Sequence, residues 1–171
     1  VFSGDIGQDD RPLMRDPFHC RDAAYIVMES TYGDRDHDRA KNTLEELARV
    51  VNETVERRGN LIIPTFAIDR AQELLYLLGE LVHTGKIPRT TIFIDSPMAI
   101  NATTVYKRYP HLLDDETRAL FDAGRHPFQF AGLHFVRSAA ESRSINSIRG
   151  SCIVLAGSGM CTGGRVKHHL R

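Results

Sequence analysis

Short apolar runs alternate along this chain with longer segments whose apolar residues recur three or four apart, and that alternation constrains the fold more than any other feature. The runs are Ala24–Met28 (AYIVM), Asn60–Pro64 (NLIIP), Thr91–Asp95 (TIFID), Leu133–Val136 and Ser151–Ala156 (SCIVLA). Each is the length of a strand buried on both faces, and Ala24–Met28 is expected to be one of them. Between them, Arg39–Arg58 places Ala40, Leu44, Leu47, Val51 and Val55 on one helical face, with Gly59 where a C-cap is wanted. Asp69–His83 does the same with Ala71, Leu74, Leu75, Leu78 and Leu81, Asp69 or a neighbour capping its start. Looser helical patterns follow over Ala102–Tyr109, over Asp114–Ala123 with Asp114 as cap and Leu120 and Phe121 packing, and over Ser138–Ile148. Helices long enough to cross a sheet imply an α/β fold: a mostly parallel sheet covered by helices on both faces.

Composition limits the functional classes. With 171 residues and 42% hydrophobic content the chain can form one ordinary core, and 22 basic against 22 acidic residues give no overall attraction to a polyanion. Any nucleic-acid role must therefore come from local motifs. Cys20, Cys152 and Cys161 are odd in number and lack metal-ligand spacing, which suits free thiols in a reducing compartment. There is no apolar run of membrane-spanning length and no signal-peptide pattern, so the expectation is a cytoplasmic protein without a membrane partner. VFSGDIG reads as the close of a strand already under way and RVKHHLR as a helix barely begun, so a piece of a longer protein is expected. Gly4–Asp22, rich in Asp, Arg, Pro and Gly, reads as a linker or surface connection.

Polar chemistry collects after the strands. Glu29-Ser30-Thr31-Tyr32-Gly33, Pro64-Thr65-Phe66-Ala67, Asp95-Ser96-Pro97-Met98 and Gly157-Ser158-Gly159-Met160 each follow an apolar run. In open parallel sheets the carboxyl ends of strands are where ligands bind, so all four segments are expected at one rim. Taken singly, each has a plainer reading. Glu29 can pair with an arginine, Ser30 and Thr31 can be turn residues, and Asp95 can start the next helix. Arg70 lies in a first helical turn, where the helix dipole disfavours a cation, so a carboxylate or phosphate partner is expected. The glycines of GSGMCTGGR permit a nest of N–H donors around an anion, yet match neither GxGxxG nor GxxxxGKS/T. The histidines are scattered or adjacent, HExxH and CxxC are absent, and a closed metal site cannot be assembled from them.

FSGDIG, ESTYGDRDH, PTFAIDRAQELL, DSPMA and GSGMCTGGRVKHHL, in this order, resemble the β-CASP branch of metallo-β-lactamase-fold nucleases, a branch that includes the endonuclease subunit of the mRNA 3′-end cleavage machinery and bacterial and archaeal relatives. The resemblance implies that residues 1–20 are a terminal strand and linker of the metallo-β-lactamase domain, and that 21–171 are a β-CASP cap cut before its later histidine motifs. It implies a zinc-dependent RNA hydrolase as the parent, with two zinc ions bridged by the residue matching Asp5, and a catalytic role for Asp5 and Glu29, the latter supporting a histidine near the active centre. Pro64, Phe66, Ala67 and Arg70, and Ser158, Gly159, Met160, Gly163, Gly164 and Arg165, would lie on the cap side of the path of single-stranded RNA. Ser30, Thr31, Arg70, Ser96, Ser158, Gly159, Gly163, Gly164 and Arg165 are the candidate substrate or phosphate contacts. HxHxDH is absent from these residues, so the isolated piece is expected to be inactive and to bind zinc only weakly. Separation from the metallo-β-lactamase domain could leave an apolar face that dimerises. Three rival readings remain at this point: a noncatalytic β-CASP paralogue that binds RNA or a partner, a small α/β module that binds a nucleotide or phosphate in a pocket closed within this chain, and polar strand ends that are ordinary turns.

Overall fold

A computed structural model describes residues 1–35 and 43–171. Six helices and four strands follow one another as α1 (Thr43–Glu56), β1 (Leu61–Pro64), α2 (Arg70–His83), β2 (Thr91–Asp95), α3 (Pro97–Arg108), α4 (Asp115–Asp122), β3 (Leu133–Phe135), α5 (Ala139–Ile145), β4 (Cys152–Ala156) and α6 (Val166–His169), with a 3₁₀ turn at Pro110–Leu112. The strands form one sheet in the order β1-β4-β2-β3, and every pairing is parallel.

Side-chain alternation divides the core into two layers. Leu61 and Ile63 of β1, Ile92 and Ile94 of β2, Leu133 and Phe135 of β3, and Ile153 and Leu155 of β4 pack with α1, α2 and α3 on one face. Cys152, Val154 and Ala156, with Ile62 and Phe93, pack against Ile145 of α5 and Val166 of α6 on the other. The chain passes from β1 to β2 beneath the first set of helices and returns from β3 to β4 beneath the second. Opposite directions on opposite faces keep both crossovers right-handed. The expected doubly covered parallel sheet is therefore the observed fold, and β4, flanked on both sides, is buried along its whole length.

Local chemistry explains the element ends. Ser96 accepts from the Ala99 N–H and Pro97 occupies the first turn of α3, so this helix begins well before the expected Ala102. Asp114 caps α4 as expected, with Thr117 N–H donating to Oδ1 at 2.6 Å. Ser138 and Glu141 form a reciprocal capping box on α5. Asp69, one of the residues expected to cap α2, precedes the helix but makes no side-chain cap bond. α1 closes in a Schellman pattern, Gly59 N–H donating to Thr54 O and Arg58 N–H to Val55 O, but the left-handed residue is Arg58 (φ 54°) and not Gly59. The expected first residues of that helix, 39–42, lie outside the described residues.

The largest departure concerns Ala24–Met28. It is not a strand of the sheet: a single parallel bridge joins Val27 to Phe2, and Tyr25 is 86% exposed. Among the described residues the apolar run has no second strand neighbour and stays exposed, so periodicity alone could not decide its burial. Conversely, Leu13, within the expected linker, is fully buried in the larger core layer. Arg15 fastens the same segment to the body through the carbonyls of Leu113 and His111.

A candidate nucleic-acid interface at the carboxyl ends of the strands

Parallel register brings the carboxyl ends of β1, β4 and β2 level, with Pro64 opposite Ala156 and Ala156 opposite Asp95. Three of the four expected polar segments thus meet at one rim, while the fourth, after Met28, does not belong to this sheet. Beyond β1 and β2 the chain turns to one face, and beyond β4 it turns to the other. Such divergence around the loop 157–164 is the arrangement of a topological switch point.

Close approach fixes that loop. A Cβ on Gly157 would lie 3.9 Å from both Ser96 Oγ and Thr65 O. Gly164 (φ +75°) passes so near the Gly157 carbonyl that a Cβ would fall 2.3 Å from its oxygen, so only glycine fits. Ser158 N–H donates to Gly163 O, and Val166 N–H donates to Gly157 O, closing the loop on itself. The N–H groups of Gly159, Met160, Thr162, Gly163 and Gly164 have no acceptor among the described residues. Ser96 accepts as a cap but keeps its hydroxyl proton to donate, whereas the Ser158 hydroxyl turns inward to Gly163 O.

Beneath the loop lies a hub that sequence reasoning did not find. Asp95 is fully buried; its Oδ1 accepts from Arg165 Nη1 at 2.7 Å, and its Oδ2 accepts from Ser142 Oγ at 2.5 Å and meets His169 Nε2 at 2.7 Å. Arg165 also donates to the carbonyls of Val136 and Arg137. Asn146 donates to His168 O through Nδ2, which turns its Oδ1 toward His169 Nδ1. The guanidinium of Arg165 is thereby engaged within the protein, tying the end of the glycine loop to β2 and to the segment after β3. Asp95 was legible only as a strand-end carboxylate, and His169 only as one of two adjacent histidines. Their meeting depends on crossovers that no local pattern reports.

Arg70 finds the carboxylate expected from its place in the helix. Its Nη1 donates to Glu73 Oε2 at 2.8 Å, and Arg11 Nη2 donates to the same oxygen at 2.8 Å. Glu73 is buried, while half of the Arg70 side chain is exposed. Gln72 Nε2 has Ala67 O, Ala99 O and Thr103 Oγ1 within 3.2 Å to share its two N–H groups, and so holds the turn after β1 against α3.

Glu29 belongs to a second, separate group. Ile6 N–H and Thr31 Oγ1–H donate to its two oxygens at 2.8 Å each, and its own N–H donates to Ser3 Oγ. The Ile6 and Thr31 donors hold its carboxyl below the ordinary value of 4.5. The FSGDIG and ESTYG stretches are thus joined, with Asp5 exposed between them, and Ser30 O accepts from Gly33 N–H in a turn. Among the described residues no hydrogen bond or ion pair links Glu29 to the rim. Nor do three His, Cys, Asp or Glu side chains come together there as a cation site. A zinc centre needs at least three protein ligands, and no such set meets among the described residues.

Residues 71–171 match the family model described as the Beta-Casp domain. The chain belongs to the β-CASP family. The likeness of this β-CASP domain extends over the whole sequence: it is 40% identical over 171 residues to Ribonuclease TTHA0252 of Thermus thermophilus, covering 100% of the chain and 39% of that protein. It is 34% identical to Transcription termination factor FttA of Methanocaldococcus jannaschii, over 100% of the chain and 27% of that protein. Cleavage and polyadenylation specificity factor subunit 3 of Dictyostelium discoideum is 31% identical over 96% of the chain and 21% of its own length. The chain thus spans about two fifths or less of these relatives.

Proposed function

We propose that this β-CASP domain is the RNA-holding cap of a longer ribonuclease, with residues 1–20 leading in from a metallo-β-lactamase domain. The observation that carries the reading is that the N–H groups of Gly159, Met160, Thr162, Gly163 and Gly164 lack an acceptor among the described residues, in a loop whose first residue, Gly157, lies against Ser96 at the carboxyl rim of a parallel sheet. Phosphate oxygens suit such donors, and the half-exposed Arg70 adds a positive charge nearby in sequence to Phe66 and Ala67. In this arrangement Gly159, Gly163, Gly164 and Ser96 contact the strand, while Arg165 and Ser158 shape the loop from within. Ser30 and Thr31 belong with Glu29 and would meet the strand only where it runs toward Asp5.

Zinc is part of the proposal for the longer protein alone. Asp5 would supply one carboxylate, Glu29 holds the backbone around it through Ile6, and the remaining ligands would come from outside this chain. Against the nucleotide-pocket reading, two cavities, of about 800 and 580 Å³, include no residue of the glycine loop: the first lies between the segment 10–16, α1, α2 and the start of α4, the second between α2, α4 and the loop 124–130.

Binding of a fluorescent single-stranded oligoribonucleotide, followed by anisotropy over a range of salt concentrations, tests the proposal. The chain should bind in a salt-dependent way without cleaving, and Arg70→Gln should weaken binding and lower the slope of log K against log salt by about 0.7. Absence of binding at low salt, or cleavage by the chain alone, would contradict it.

A further inference from the structure

The rim that offers N–H donors also exposes apolar side chains, and the phosphate-holding role does not account for them. Phe66, directly after β1, is 57% exposed, as are Ile68 at 64%, Met98 at 64% and Met160 at 69%. These four large apolar residues, which follow three different strand ends, lie open on the carboxyl-end side of the sheet. The Phe66 ring is also placed with some care. A Cβ on Gly159 would come within 2.9 Å of both Cδ2 and Cε2 of the ring, so the aromatic group lies against bare backbone of the glycine loop and would be displaced by any other residue there. The ring therefore rests beside the same N–H groups of Gly159 and Met160 that lack an acceptor.

We infer that Phe66 is a stacking platform for a nucleobase, with the phosphate of the same strand held by the loop N–H donors beside it. The inference rests on the RNA reading above and adds a residue and a chemistry to it. A nucleotide presents a flat apolar face and an anionic group within one short unit, and both halves of that description have a counterpart at Phe66 and Gly159–Gly164. A covering protein surface would have to bury those donors and the Arg70 guanidinium as well, and each polar group left unpaired would count against it. Base–aromatic stacking is tolerant of sequence, because every base has a π face. Selectivity at this position should accordingly be weak, with adenine favoured over uracil by its larger ring system.

The test compares an adenine hexaribonucleotide with an abasic ribose-phosphate hexamer carrying the same number of phosphates, on wild type, Phe66→Leu, Phe66→Trp and Arg70→Gln. Because Phe66 is exposed, none of its variants should disturb folding, and circular dichroism with thermal melting checks this directly. Phe66→Leu should bind the adenine hexamer about tenfold more weakly, leave the abasic hexamer unaffected and keep the wild-type salt slope. Phe66→Trp should restore the affinity and show indole quenching with the adenine hexamer only. Arg70→Gln should weaken both hexamers alike. If Phe66→Leu binds both hexamers as wild type does, the ring has some other partner, such as a covering protein surface. The stacking inference then falls while the RNA reading stands. If wild type binds neither hexamer, both fall together.

Discussion

Ala24–Met28 and Cys152–Ala156 look alike in sequence, five residues each and almost wholly apolar, yet β4 is buried throughout while the other run lies open apart from one bridge to Phe2. The difference is in what surrounds them. β4 has β1 and β2 as hydrogen-bonding neighbours and helices above and below, whereas Val27 receives only Ser3 N–H and donates only to Val1 O. A strand's burial is decided by its neighbours on four sides, and its own residues only permit it. The stretch 1–35 is itself divided: Leu13 and Arg11 belong to the body, and Glu29 with Ile6 forms a small polar knot outside it.

That contrast can be broken in four ways, in decreasing order of expected effect. Asp95→Asn removes the charge that Arg165 and His169 meet in the interior, and should cost about 3–5 kcal/mol in chemical denaturation. Leu155→Ala should cost about 2–5 kcal/mol, against less than about 0.5 kcal/mol for Val27→Ala. Comparable losses at the two positions would mean that the first run is covered in solution. Leu13→Ala should behave as a body mutation, with a loss of at least about 2 kcal/mol, although its sequence context reads as a linker. A loss near zero would detach that segment from the body.

The smallest effect is a pH dependence. The Glu29 carboxyl is depressed by the Ile6 N–H first and then by Thr31, so its bonds favour the ionised form. A depressed carboxyl contributes its stabilisation above the unfolded value, near 4.5, and loses it as pH falls through the lower folded value. The amide resonance of Ile6 should therefore hold steady from neutral pH down past 4.5 and move only in more acidic solution, with Leu155 unaffected. Movement of Ile6 centred at or above 4.5 would show that the knot does not form.

Fold class was legible because the helix and strand periods are strong from Asn60 onward, and β2 matches the expected Thr91–Asp95 residue for residue. A cap was legible where a single carboxylate determines it, as at Asp114, whereas Ser138 read as the first residue of its helix and is its cap. The site was legible as a collection of strand ends, and register gathered three of those four segments. What escaped the sequence was pairing at long range: Asp95 with His169 are 74 residues apart, and Arg11 with Glu73 are 62 apart. Phe66 was visible as a motif residue, but its exposure, and the glycine that makes room for it, required the fold.

The most direct measurement is a backbone-amide NMR titration of the ¹⁵N-labelled chain with a single-stranded hexaribonucleotide. The account predicts that the largest shifts fall on Phe66, Arg70, Ser96 and Gly159–Gly164, with the opposite ends of the strands, such as Leu61 and Thr91, left in place. Shifts centred on the cavity beside Tyr76 and Glu80, or none at saturating RNA, would contradict it.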